Sequence, residues 1–182
     1  MIDISGVNLS KVMKYCIVMV LLAALGGLFV LNRQTSPLLQ NVTADRVLIE
    51  KRSHRLTLLS KGSVLKSYRI AIGRGPEGKK TTEGDGKTPE GLYTIDRRKP
   101  NSGFHRALHI SYPNADDRKL AAERGVSPGG DIMIRGLVNS LGWIGKLHLV
   151  MDWTAGCIAM TNWEVDEIWR AAPDGTVVEI VP

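Results

Sequence analysis

Residues Asp152–Asn162 read DWTAGCIAMTN. Gly156–Met160 within them is a strand candidate that carries Cys157. The chain holds two cysteines, and the other, Cys16, sits in an apolar run near the N-terminus. Cys157 is therefore the single thiol of the chain beyond that run and has no partner there for an intramolecular disulfide. A free thiol outside the cytoplasm is prone to oxidation, so it is either buried and inert or used in chemistry. Gly156 favours use, because it permits close backbone approach. A thiolate facing backbone N–H groups is the arrangement that acyl transfer needs.

Working outward, the flanking pattern is mainly β. Arg46–Lys51 and His54–Leu59 alternate apolar and polar residues, with a turn at Arg52-Ser53. Val64–Ile72 follows the Lys61-Gly62 turn, which makes a three-strand meander. Further strand candidates are Gly91–Asp96, Ala107–Tyr112, Ile132–Arg135 and Thr176–Val181. Asp116–Glu123 is rich in helix formers and is stopped by Gly125. Asn162–Ala172 places Val165, Ile168 and Trp169 at helical spacing before Pro173. This pattern predicts a mainly β sandwich or barrel with short helices. Gly73–Gly78 fits G-x-G-x-x-G, but Pro76 and a polar run follow where a dinucleotide site needs a helix, so a long loop is expected.

Cys16–Leu31 is an uncharged apolar run, preceded by Lys11 and Lys14 and followed by Arg33. It is near the lower length limit for a bilayer span and has no small-x-small cleavage site after it. An uncleaved signal anchor is expected, with a cleaved signal as the alternative. The lysines place the N-terminus in the cytoplasm. The organisation read from this is a cytoplasmic segment at 1–13, a transmembrane helix at 14–32, a linker at 33–45 and one domain at 46–182. The whole is 182 residues, 43% hydrophobic, with 24 basic against 18 acidic residues. That composition excludes global disorder, and two cysteines exclude a disulfide scaffold or a cysteine-built metal cluster. The positive charge is spread rather than striped, which argues against a nucleic-acid partner. No histidine or acid has metal-ligand spacing, so no metal is expected.

Thr154-Ala155-Gly156-Cys157-Ile158 resembles the Ser/Thr-x-Gly-Cys signature of the L,D-transpeptidase (YkuD-like) catalytic domain. Other motifs match in order: Thr88-Pro89-Glu90-Gly91 is similar to that family's T-P-x-G turn, and Leu108–Asn114 and Pro128–Ile132 are similar to one of its branches. The resemblance covers about residues 46–181. It implies an exported protein of the bacterial envelope that acts on peptidoglycan stem peptides, and the apolar run would anchor it in the inner membrane with the domain in the periplasm. In that family the cysteine attacks the carbonyl of the third stem residue, D-Ala leaves, and an amine or water resolves the thioester. Carried over, Cys157 is the nucleophile. The N–H groups of Gly156 and Cys157 are oxyanion donors, and the Thr154 hydroxyl orients the turn. No cofactor is implied.

The chain departs from the family at its general base. Arg135, followed by Gly136, stands where the family has His-Gly, 22 residues before Cys157. An arginine lowers a thiol pKa but cannot accept a proton. Ala155 and Ala159 also replace residues that are often polar or basic. His148, with Asp152 between it and Cys157, offers a Cys-His-Asp set, against a purely structural histidine. His109 sits mid-strand and is a candidate for the cleft, and Trp153 for the donor groove. The rival readings are a pseudoenzyme that binds peptidoglycan, and a carboxypeptidase or amidase.

Overall fold

The computed structural model describes residues 9–32 and 36–182; parts of the expected N-terminal segment and linker, residues 1–8 and 33–35, lie outside the described residues. The chain divides into two units, 1–35 and 36–182. The first is a helix, α1 (Leu9–Asn32), which begins ahead of the expected start at 14 and includes Lys11 and Lys14. Within it Ser10–Val30 has a mean hydropathy of 2.2 and no buried residues, so it is long and apolar enough to cross a membrane.

The second unit is built on one sheet. Its strands are β1 (Arg46–Glu50), β2 (Arg55–Ser60), β3 (Ser63–Arg69), β4 (Gly91–Ser102), β5 (His105–Ile110), β6 (Met133–Arg135), β7 (Ile158–Ala159) and β8 (Val177–Val181). Two helices, α2 (Ala115–Glu123) and α3 (Asn162–Ala171), and a short 3₁₀ segment at Gly142–Val150 complete it. The order across the sheet is β3-β2-β1-β8-β4-β5-β6-β7. Neighbours are antiparallel except β1 with β8 and β6 with β7. The chain beyond β3 returns to the far edge, where Ala71 and Ala159 exchange both backbone hydrogen bonds (2.9 and 2.8 Å). The expected sandwich or barrel is thus one mixed sheet, bridged from the segment after β3 to its far strand at Ala71 and Ala159.

Alternation sorts the residues. Val47, Ile49, Leu56, Leu58, Leu108, Ile134, Ile158 and Ile180 are buried in one core. Val165 and Ile168 of α3 join it from the helix that packs on β5 and β6. In β5, β6 and β7 the partners Leu108, Ile134 and Ile158 face that core. Residues one step away therefore face outward: Ala107 and His109, Met133 and Arg135, Ala159 and, two residues before it, Cys157.

β4 is twice its expected length because its basic run is paired. Arg98 lies over the Trp169 ring at 4.9 Å and donates to Asp174 (2.5 Å) and to the carbonyls of Trp169 and Ala172. Such contacts keep a charged stretch in the sheet, although hydropathy alone marks it as loop.

Candidate active site

The cysteine turn is held from within. Thr154 Oγ1 donates to the Cys157 carbonyl (2.7 Å) and accepts from Gly156 N–H (3.1 Å). Of the expected oxyanion pair, Gly156 N–H is thereby engaged in the turn. Gly156 has φ +130°, a region L-residues rarely adopt. The turn packs on the 73–88 loop, where the G-x-G-x-x-G stretch forms a loop as expected. Gly73 N–H donates to Thr88 Oγ1 (2.9 Å), Arg74 N–H to the Thr154 carbonyl (2.9 Å) and Gly75 N–H to the Gly86 carbonyl (2.9 Å).

Asp85 organises that loop. Its carboxylate accepts from Lys80 Nζ (2.8 Å) and from the N–H groups of Thr81, Thr82 and Lys87. Burial raises its pKa, but Lys80 and the three N–H groups outweigh burial and hold it down at about 2. A depressed folded-state pKa gives stability that is present above the ordinary value near 3.8 and lost as pH falls towards about 2. Asp85→Asn is expected to cost about 1–3 kcal/mol at neutral pH. It should also flatten the acid limb of a pH series of urea unfolding.

Cys157 is half-buried, and its thiol donates to the Asp131 carbonyl (3.7 Å). The Asp131 side chain, on a backbone with φ +53°, receives Arg97 (3.2 Å) and lies 3.8 Å from His109 Nε2. His109 is buried, and its Nδ1 meets Asp96 Oδ1 at 2.5 Å. In the neutral ring Nδ1–H donates to the carboxylate, so Nε2 carries the lone pair. Asp96 reaches His109 because the β4–β5 register shifts between Ile95 and Arg97, a bulge that turns Asp96 towards β5.

His148 has the opposite arrangement. Trp153 Nε1–H, a donor only, points at its Nδ1 (3.3 Å), so the neutral ring keeps its proton on Nε2. That nitrogen is buried with no hydrogen-bond partner among the described residues. Burial first, then the nearby Arg135 charge, push the His148 pKa down to about 4, so the ring is neutral at ordinary pH. Asp152 does not join it. Asp152 binds His54 Nε2 (2.9 Å) and the Ile72 N–H (2.9 Å), so the Cys-His-Asp set with Asp152 as orienter is not assembled.

Arg135 is buried, with its guanidinium 3.7 Å from the Phe104 ring centre and 4.7 Å from that of Trp153. Sequence reasoning missed Asp96, Asp131 and Phe104. No motif marks Asp96 or Phe104, which a bulge and a stacking contact place, and the Pro128–Ile132 motif that contains Asp131 does not show that its carbonyl meets the thiol. Among the described residues no three His, Cys, Asp or Glu side chains converge as metal ligands.

A mixed sheet that carries a free cysteine just ahead of its last strand, with Asp131 between the thiol and a histidine–aspartate pair, defines a class of β-rich domains carrying a cysteine site. The sequence pattern of the L,D-transpeptidase catalytic domain (YkuD) matches residues 44–180, and the chain belongs to that family. YafK of Escherichia coli (strain K12), provisionally named an L,D-transpeptidase, is 37% identical over 109 residues, 59% of this chain and 37% of YafK. The helical cell shape determining protein Pgp2 from Campylobacter jejuni superposes with a TM-score of 0.57 at 25% identity, over 74% of this chain and 46% of Pgp2. Bd1075 of Bdellovibrio bacteriovorus shares the fold with a TM-score of 0.53 at 20% identity, over 79% of this chain and 49% of that one. The chain thus spans about half the length, or less, of these relatives.

Proposed function

We propose that this domain transfers acyl groups of peptidoglycan stem peptides through a thioester on Cys157, anchored in the inner membrane by α1 with the domain in the periplasm. Membership of the L,D-transpeptidase family supports the substrate class, and the likeness to a cell shape determining protein supports a role in wall biogenesis. The observation that carries the chemistry is the free thiol on the turn that Thr154 clamps, bonded to the carbonyl of Asp131, whose carboxylate lies 3.8 Å from His109 Nε2.

In this mechanism His109 Nε2 takes the thiol proton and Asp96 steadies the imidazolium. The thiolate adds to the peptide carbonyl, and the developing oxyanion meets Cys157 N–H. The C–N bond then breaks, the leaving amine takes the proton back from His109, and a thioester remains. An acceptor amine or water attacks the thioester, gives its proton to His109, and restores the thiol. His148, proposed from sequence as the base, would first have to leave Trp153 and exchange tautomers. Trp153 and His109 line the peptide site in either case.

Incubation of the full chain with a carbapenem and intact-mass measurement is expected to show one adduct, absent in Cys157→Ala. A chain that stays unlabelled under conditions that label an ordinary family member rules the reading out. The second reading, a peptidoglycan binder without turnover, is favoured by one observation: an arginine, which cannot move protons, holds the place of the family's histidine. Retention on sacculi by both forms, with no adduct and no product, would establish it.

A further inference from the structure

The cysteine face buries two donor groups that no carboxylate meets among the described residues. Arg135 is 94% removed from solvent, at 6% exposure, yet its hydrogen bond goes to the neighbouring Gly136 carbonyl (3.1 Å). No carboxylate forms an ion pair with it among the described residues. A guanidinium carries five N–H donors in a planar fork, and burying that charge without an anion is costly. Stacking between Phe104 and Trp153 offsets part of the cost and fixes the plane of the fork. Beside it, the buried Nε2–H of His148 has no partner among the described residues. Trp153 joins the two, stacking on Arg135 and donating to His148 Nδ1.

The residues are placed for a peptide on Cys157. Arg135 pairs with Ala159 across β6 and β7, two positions along the strand from Cys157 and on the same face. Two strand residues are about 6.6 Å apart. A carboxylate one residue beyond the attacked carbonyl would fall within that span plus an arginine side chain. The segment over this face, Gly142–Val150, is two short turns joined at Gly145 (φ +53°, ψ −129°), with Gly145 and Leu149 its buried residues. A histidine held by one 3.3 Å bond to Trp153 can shift to admit an anion.

We infer that Arg135, with the Nε2–H of His148 beside it, is a receptor for the C-terminal α-carboxylate of the peptide whose terminal residue leaves. This rests on the stem-peptide reading above and names the group that replaces the lost histidine's role at this position: recognition rather than proton transfer. It makes the domain selective for peptides that end one residue beyond the scissile bond, because an internal amide offers no anion.

The test uses the full chain in detergent micelles with Cys157→Ala, so that no acyl transfer occurs. Calorimetry compares a tetrapeptide stem bearing a free C-terminal carboxylate with the same peptide as its C-terminal amide. The amide is expected to bind about 10- to 100-fold more weakly. Adding Arg135→Gln should weaken the acid to the level of the amide and leave the amide unchanged. Arg135→Lys, a point charge without the fork, should restore part of the difference. Equal binding of acid and amide by the Arg135 form overturns the receptor while leaving the stem-peptide reading standing. Full discrimination in a folded Arg135→Gln chain overturns it as well. If neither peptide binds at millimolar concentration, the stem-peptide reading itself fails and takes this inference with it.

Discussion

Replacing His109 with Gln is expected to slow acylation of Cys157 by about 10²–10⁴-fold, the usual worth of a positioned acid–base group. Glutamine keeps a donor and an acceptor in the same space but cannot carry a proton between thiol and leaving amine. Because His109 is buried and its ring is fixed by Asp96 at 2.5 Å, the loss should be chemical rather than a loosening of β5. The reading is a time course of carbapenem adduct by intact mass, taken across pH. The deficit should narrow as pH rises, because hydroxide then removes the thiol proton without help. A merely structural histidine would give a deficit that does not change with pH. Asp96→Asn should move the rate in the same direction, since an amide no longer holds the lone pair of His109 at Nε2. His148→Gln should cost far less. If His148→Gln abolishes labelling and His109→Gln leaves it intact, the roles of the two rings are the reverse of those proposed.

Sequence pattern located most of the sheet, and the reason is physical. Alternation in Arg46–Glu50 and Val177–Val181 reports strands with one buried face, which is a local property. Two features were not legible because they depend on distant partners. The second half of β4 stays in the sheet through Arg98, Trp169 and the end of α3. The bridge from the segment after β3 to the far strand depends on Ala71 meeting Ala159, a pairing with no side-chain signature. The site divides the same way. Thr154, Gly156 and Cys157 lie in one turn, so their spacing shows them together, and Arg135 was visible as a mismatch in a strand pattern. The choice between histidines was not visible. Asp152 is nearer to His148 in sequence but bonds His54, across 98 residues. Asp96 reaches His109 through a bulge that no residue type announces.

Gly156→Ala is expected to lower the acylation rate by about 10²–10³-fold while Cys157 remains present and reducible, the scale of losing an oxyanion donor. A Cβ at this position would lie 2.7 Å from the Lys87 carbonyl oxygen and 3.1 Å from Ile132 Cδ1, on a backbone with φ +130°. The isoleucine can turn aside. The carbonyl cannot, because the loop that carries it is fixed at Gly73, Arg74 and Gly75 and by the Asp85 carboxylate at Lys87 N–H. The turn must therefore give way, which moves Cys157 N–H relative to its own sulfur. Strain of this kind costs on the order of 1–3 kcal/mol, so the domain should still fold with a lowered melting temperature. Gly103→Ala is the control: nothing lies within 4 Å of its Cβ, and it should match the parent in both rate and melting temperature. The readout that separates geometry from stability is thiol titration in denaturant and in buffer. The variant should react fully when unfolded and slowly with carbapenem when folded. A Gly156→Ala chain that acylates at the parent rate would mean that the backbone at this turn takes no part in stabilising the oxyanion, and that Cys157 acts without the hole proposed for it.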